Sequence, residues 1–295
     1  MTIPTQRTLL FLLVSFAVWL SATTTFALEP TFANVPYVPN GGERQQLDLY
    51  LPANYRETEK LPVLVWIHGG AWQHGSKKDV PKNDFVERGY ACVSINYRLA
   101  PQSIFPAQIE DCRAAIRWLR ANAATYNLDP NRVGVWGASA GGHLAALLGT
   151  SVHIKEFDVG ENLDQSSAVQ AVCDIFGPTD IVAFARVGFV ANADGIFGRF
   201  LGGSISDKHD LAVLASPALN ITKDCPPILI LHGTRDFVCP LMQSTRFYDV
   251  LKQAGIETEI VIKEGGGHDE SMTTPDLLEK VAEFFDKHVK KESPK

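Results

Sequence analysis

Between residues 61 and 231 the sequence holds five short runs of almost unbroken apolar residues: Leu61 to Ile67, Tyr90 to Ile95, Arg132 to Trp136, Ala168 to Phe176 and Pro227 to Leu231. A strand with one wet face alternates polar and apolar residues. A run without alternation suits a strand covered on both faces, as in a parallel sheet. Patterns of helical period fill the intervals, clearest at Ala107 to Ala124, His143 to Leu148, Leu241 to Ala254 and Pro275 to Lys291. This succession requires right-handed crossovers and predicts an α/β fold, a mostly parallel, doubly wound sheet with helices on both faces. Ahead of the runs, Gln46 to Tyr50 alternates and reads as a half-buried antiparallel strand. No repeat or low-complexity linker divides the chain, so residues 28–295 are expected to form one domain.

The succession is interrupted once. Residues 177–225 form an interval of 49 residues between strands, long for a simple crossover. It carries Phe184, Phe189, Phe197 and Phe200 among several glycines, which suggests a short cap-like insertion or a longer crossover packed on the sheet. If a cap, it would place Phe184 and Phe189, with Trp72, around a substrate pocket.

Residues 1–27 are of a different character. Arg7 is the only charged side chain before Glu29, Leu9 to Leu20 is an apolar run of 12 residues, and small residues lead to Ala27. That is the composition of a secretory signal peptide, too short to span a bilayer, and it predicts a secreted or periplasmic product with no membrane span in the mature chain. The balance of 27 Lys+Arg against 33 Asp+Glu, with no basic cluster, argues against nucleic acid as a partner. The five cysteines match no zinc or disulfide framework, and no metal site is expected. Oligomeric state is not legible.

Gly137-Ala138-Ser139-Ala140-Gly141 follows the third apolar run and opens a helical pattern. In a strand–turn–helix context, G-x-S-x-G forces the serine into a strained backbone with its hydroxyl exposed. The flanking glycines leave room for the turn. A serine hydroxyl needs a base, itself oriented by an acid, and in this context the chain order is Ser, then Asp or Glu, then His. Asp236, in His232-Gly233-Thr234-Arg235-Asp236, and His268, in Gly265-Gly266-Gly267-His268, follow later strands and supply that order. Ser139, Asp236 and His268 are therefore the expected catalytic set. The rivals are His68, His232 and His143 as base and Asp180 as acid. Asp269 and Glu270 read as solvated neighbours. His68-Gly69-Gly70-Ala71-Trp72 ends the first run, and consecutive glycines there can turn main-chain N–H groups towards a carbonyl oxygen. Gly70 and Ala71, with Ala140, are the expected oxyanion hole.

Together these motifs, with Pro240, Asn96-Tyr97-Arg98-Leu99 and Ser216-Pro217, resemble the α/β-hydrolase fold over roughly residues 34–290. The likeness is strongest to the branch of hormone-sensitive-lipase-like and bacterial feruloyl-esterase-like enzymes. The resemblance implies a serine carboxylesterase acting on a small-molecule ester through an acyl-enzyme, with no cofactor. Ala71 stands where hormone-sensitive-lipase-like enzymes carry a third glycine, and Trp72 follows, as in the feruloyl-esterase-like and kynurenine-formamidase-like relatives. Hydrolysis of an aryl formamide or a peptide by the same three residues is the alternative, and a non-catalytic binding relative is a third.

Overall fold

The computed structural model describes residues 29–56, 58–184 and 195–290. The leader expected at 1–27 and Phe189 lie outside them. Among the described residues, eight strands form one sheet: β1 Phe32–Pro36, β2 Gln46–Tyr50, β3 Leu61–Ile67, β4 Ala91–Ile95, β5 Leu128–Ala138, β6 Ala171–Ile175, β7 Ile228–Gly233 and β8 Thr258–Lys263. Their order across the sheet is β1-β2-β4-β3-β5-β6-β7-β8. From β4 to β8 all pairs are parallel, and β2 is antiparallel to both its neighbours. This is the α/β-hydrolase fold.

The unbroken apolar runs have a direct cause. Along β3, Val63, Val65 and Ile67 point into one core and Leu64 and Trp66 into another. The first core is closed by α1 Ala107–Ala121, α2 Ala140–Thr150 and α6 Met242–Gln253. The second is closed by α7 Pro275–Phe285, with Phe85 and Tyr90 from the connection before β4. Either face exposed would leave several large side chains in water, at roughly 1.5–3 kcal/mol each.

The structure departs from expectation at several ends. β1 is an additional edge strand, mostly exposed, with a register shift between Phe32 and Val35. An edge strand with little to bury has no apolar run to announce it. β6 starts at Ala171, later than Ala168, and α2 begins at Ala140, directly after the serine. All five cysteines are free.

Residues 177–225 include α3 Ile181–Phe184, α4 Ile196–Leu201 and α5 His209–Leu214. Phe184, Phe197 and Phe200 are buried in the same core as α1 and α2. Phe105 N–H donates to the Phe200 carbonyl at 2.8 Å, tying the segment to the start of α1. No helix among the described residues is long and apolar enough to cross a membrane.

Candidate active site

β3 has β4 on one side and β5 on the other, so the chain leaves these strands in opposite directions and a crevice opens at their carboxyl ends. Ile67 and Gly137 are register partners. The loop His68–Trp72 and the turn Gly137–Gly141 therefore begin level and side by side. The loops after β7 and β8 bring Asp236 and His268 to the same edge.

Ser139 has φ 57° and ψ −121°, a conformation that is strained for any side-chain-bearing residue. Its N–H donates to the Ile175 carbonyl at 2.9 Å, which ties the turn to the end of β6. The flanking glycines are sterically required. A Cβ at Gly137 would lie 2.5 Å from Gly141 C and 2.7 Å from Ile67 O, and one at Gly141 would overlap the carbonyls of Ile67 and His68. α2 starts immediately after the serine, so its first N–H groups point towards the space beside the hydroxyl.

The three expected side chains meet. His268 Nε2 lies 2.8 Å from Ser139 Oγ and its Nδ1 lies 2.6 Å from Asp236 Oδ2. Ser139 and His268 are half-buried and Asp236 is buried. Asp236 Oδ1 accepts N–H groups from Val238 at 2.9 Å and Cys239 at 2.8 Å. Burial works to raise the Asp236 pKa, yet hydrogen bonds from His232, His268 and Cys239 together hold it well below the usual carboxylate range. The glycines before His268 have a packing role: Gly265 takes φ 73°, and the backbones of Gly266 and Gly233 touch where any Cβ on Gly233 would stand.

In the loop after β3, Gly70, Ala71 and Trp72 all have positive φ, at 105°, 53° and 59°. A Cβ on Gly69 would lie 3.5 Å from Ser139 Cβ, so the loop runs against the serine. Among the described residues no loop or turn hydrogen bond is donated by the N–H of Gly70, Ala71 or Ala140. Trp72 is buried. Its indole stacks on Phe200 at 4.2 Å between centroids, and its Nε1 donates to His143 Nδ1 at 3.1 Å. Phe184 is also buried, edge-on to Phe197 at 5.0 Å. Both side chains belong to the aromatic core behind the loop.

Of the rivals, His232 is buried against Asp236 itself, with Nε2 3.2 Å from Oδ2, and the other three are engaged elsewhere. His68 is buried, stacks on Tyr97 and hydrogen-bonds through Nδ1 to Gly69 O at 2.7 Å, and burial lowers its pKa to about 4. His143 Nε2 bonds to the Ala215 carbonyl at 2.7 Å. Asp180 accepts from Ala183 N–H at 2.8 Å and pairs with Arg246. Asp269 accepts from Ser271 N–H at 2.9 Å, starting a short turn, and Glu270 is exposed. Two neighbours escaped the sequence reading. Phe176, at φ 46°, lays its ring 4.4 Å from the His268 imidazole. Asp174 is wholly buried and one of its oxygens, Oδ2, has no hydrogen-bond partner. Their positions before Gly177-Pro178 at a strand end were the available signal, and residue type alone assigns them no role. Among the described residues no group of three or more His, Cys, Asp or Glu could hold a metal ion.

Comparison with known proteins agrees with this architecture. The model of the family described as BD-FAE matches residues 47–251. Esterase LipQ of Mycobacterium tuberculosis is 34% identical over 235 residues, which cover 77% of this chain and 54% of LipQ. The chain spans about half the length of the curated relatives it matches. Among solved structures, a truncated carbohydrate esterase from gut microbiota superposes with a TM-score of 0.82 at 32% identity, covering 88% of this chain and 96% of that one. A bifunctional GH43-CE protein of Bacteroides eggerthii gives 0.81 at 34% identity, covering 87% and 35%.

Proposed function

We propose that this chain, which belongs to the BD-FAE family, is a carboxylic ester hydrolase with Ser139 as nucleophile, His268 as base and Asp236 as orienting acid. The observation that carries this is the unbroken hydrogen-bonded chain from Asp236 through His268 to Ser139. Ser139 Oγ attacks the ester carbonyl as His268 Nε2 accepts its proton. Asp236 holds the imidazole through Nδ1 and stabilises the cation that forms. The N–H groups of Gly70, Ala71 and Ala140 receive the oxyanion, each donor lowering the barrier by about 3–4 kcal/mol. His268 then protonates the departing alcohol, and water repeats the sequence on the acyl-serine.

The structural neighbours include a carbohydrate esterase and a GH43-CE protein, and sugar carboxylic esters are the first substrates we assign. The leader-like composition of residues 1–27 supports export, so that such esters would be met outside the cytoplasm.

The test is hydrolysis of p-nitrophenyl acetate and an acetylated sugar by the wild type and Ser139→Ala, with labelling by a fluorophosphonate. The variant is expected to lose turnover and labelling together. Wild-type rates in Ser139→Ala would remove the nucleophile, and a preference for formanilide or peptide over esters would remove the ester assignment.

A further inference from the structure

His232, the penultimate residue of β7, has no exposed surface, and both of its ring nitrogens are engaged. Nδ1 lies 2.6 Å from Ser244 Oγ. Nε2 lies 2.9 Å from the Cys239 carbonyl oxygen and 3.2 Å from Asp236 Oδ2. Two acceptors face Nε2, and a hydroxyl able to donate faces Nδ1. The arrangement that satisfies every partner puts the proton on Nε2, with Ser244 O–H donating to Nδ1. His232 is then neutral, and its one N–H is shared between a carbonyl and a carboxylate.

That carboxylate oxygen is the same one approached by His268 Nδ1 at 2.6 Å. We infer that His232 is a positioning residue for the acid–base pair, donating a second N–H to Asp236 Oδ2 and thereby setting the direction and charge of the oxygen that His268 uses. This rests on the assignment of Ser139, Asp236 and His268 proposed above. With Val238 and Cys239 N–H groups bonded to Oδ1, His268 bonded to Oδ2 and His232 Nε2 3.2 Å from the same oxygen, the carboxylate has donors on both sides and cannot rotate without losing several. His232 moves no proton in turnover, because Nε2 already carries one and Nδ1 is occupied by Ser244.

The other titratable groups near it are Asp174 from β6, Cys239 on the acid loop, His268 after β8, and Asp269 beyond. Burial pushes the Cys239 thiol up and the Asp174 carboxyl up to about 6. Taking one donor away from Asp236 Oδ2 concentrates charge on that oxygen and strengthens its hold on protonated His268. The acid limb of kcat/KM must then move to higher pH. A ring that merely filled space would not produce this shift.

The experiment compares His232→Leu, His232→Gln and Ser244→Ala with the wild type on p-nitrophenyl acetate across pH, each also in an Asp174→Asn background, with Ser139→Ala as baseline. His232→Leu is expected to lower kcat about tenfold or more, with KM within about twofold, and to raise the acid limb by about half a pH unit. Gln can present an N–H where Nε2 stood, so His232→Gln should recover most of kcat and the wild-type limb. Ser244→Ala should move both quantities the same way by less, and it decides the matter if His232→Leu does not fold. An unmoved acid limb in both Leu and Ala variants, or equal losses in Leu and Gln, would overturn the inference. Hydrolysis surviving in Ser139→Ala would instead bring down the site assignment beneath it.

Discussion

The Phe176 ring lies 4.4 Å from the His268 imidazole, centroid to centroid, with the planes inclined at 47°. The residue that presents it has φ 46°, a rare conformation for so large a side chain. Its N–H is anchored on the Leu231 carbonyl at 2.8 Å, so the strained backbone is held from β7 while the ring rests on the His268 imidazole. Phe176→Ala is expected to lower kcat by up to about tenfold through a less constrained imidazole, with KM little changed. Steady-state kinetics on p-nitrophenyl acetate checks this; a changed KM at constant kcat would make the ring a substrate contact instead.

Asp236→Asn should reduce kcat by about 10⁴, because the amide cannot hold the imidazole in the working tautomer. Asp180→Asn should leave kcat near the wild-type value. The Asp180 carboxylate accepts from Ala183 N–H and pairs with half-exposed Arg246, so Asp180→Ala costs about 1 kcal/mol of stability. Parallel kinetics and urea titrations separate the two. Loss of activity in the Asp180 variant would transfer the acid role to it.

Gly141→Ala is expected to be inactive and destabilised by about 1–3 kcal/mol or more, since its Cβ would overlap the carbonyls of Ile67 and His68. Gly42→Ala serves as the control. Gly42 has φ −72° and open space around its Cβ position, so this variant should be neutral. Equal urea midpoints for the two would contradict the close approach of β3 to the turn.

Burial raises the Asp174 carboxyl to about 6, with the Gly177 N–H opposing the shift. A folded-state pKa above the unfolded value makes a contribution that is complete below the unfolded value near 4 and lost as pH rises through 6. Asp174→Asn keeps an oxygen for Gly177 and removes the buried charge. The variant should gain on the order of 2–3 kcal/mol at pH 8 and almost nothing at pH 4. Denaturant curves at the two pH values check the sign; a loss at pH 8 would show that the charge has a stabilising partner.

His143 behaves in the opposite sense. Burial lowers its pKa to about 4, the Ala215 carbonyl opposing, and Nδ1 must stay unprotonated to accept from Trp72. Its contribution is complete above the unfolded value near 6.5 and is lost as pH falls towards 4. His143→Gln should flatten that fall by on the order of 3 kcal/mol, read from Tm against pH. An unchanged slope would mean that the ring is reached by water.

Much of this was legible in the sequence, for reasons specific to each residue. Strands buried on two faces must be apolar throughout, so β3 to β7 announced themselves, whereas β1, mostly exposed at the edge, did not. The turn at Ser139 was legible because only glycine fits against Ile67 and His68. Ser139, Asp236 and His268 could be named from strand–loop order, and their mutual distances followed from strand order. What Phe176, His232 and Asp174 touch is set by side-chain orientation, which residue type does not encode. Nor could spacing foretell that Trp72 and Phe184 would turn inwards, since an aromatic side chain on a loop suits a pocket wall and a core equally well.

Trp72 belongs to two neighbourhoods at once: its backbone, at φ 59°, to the loop beside Ser139, and its indole to the stack with Phe200 and His143. The curvature of that loop is thus settled when the chain folds and is not rebuilt at each encounter. On the assignment proposed above, an incoming ester meets amides already aimed, and little ordering entropy is lost on arrival. Damage at Phe200, far inside, should then surface as sluggish chemistry with undiminished capture.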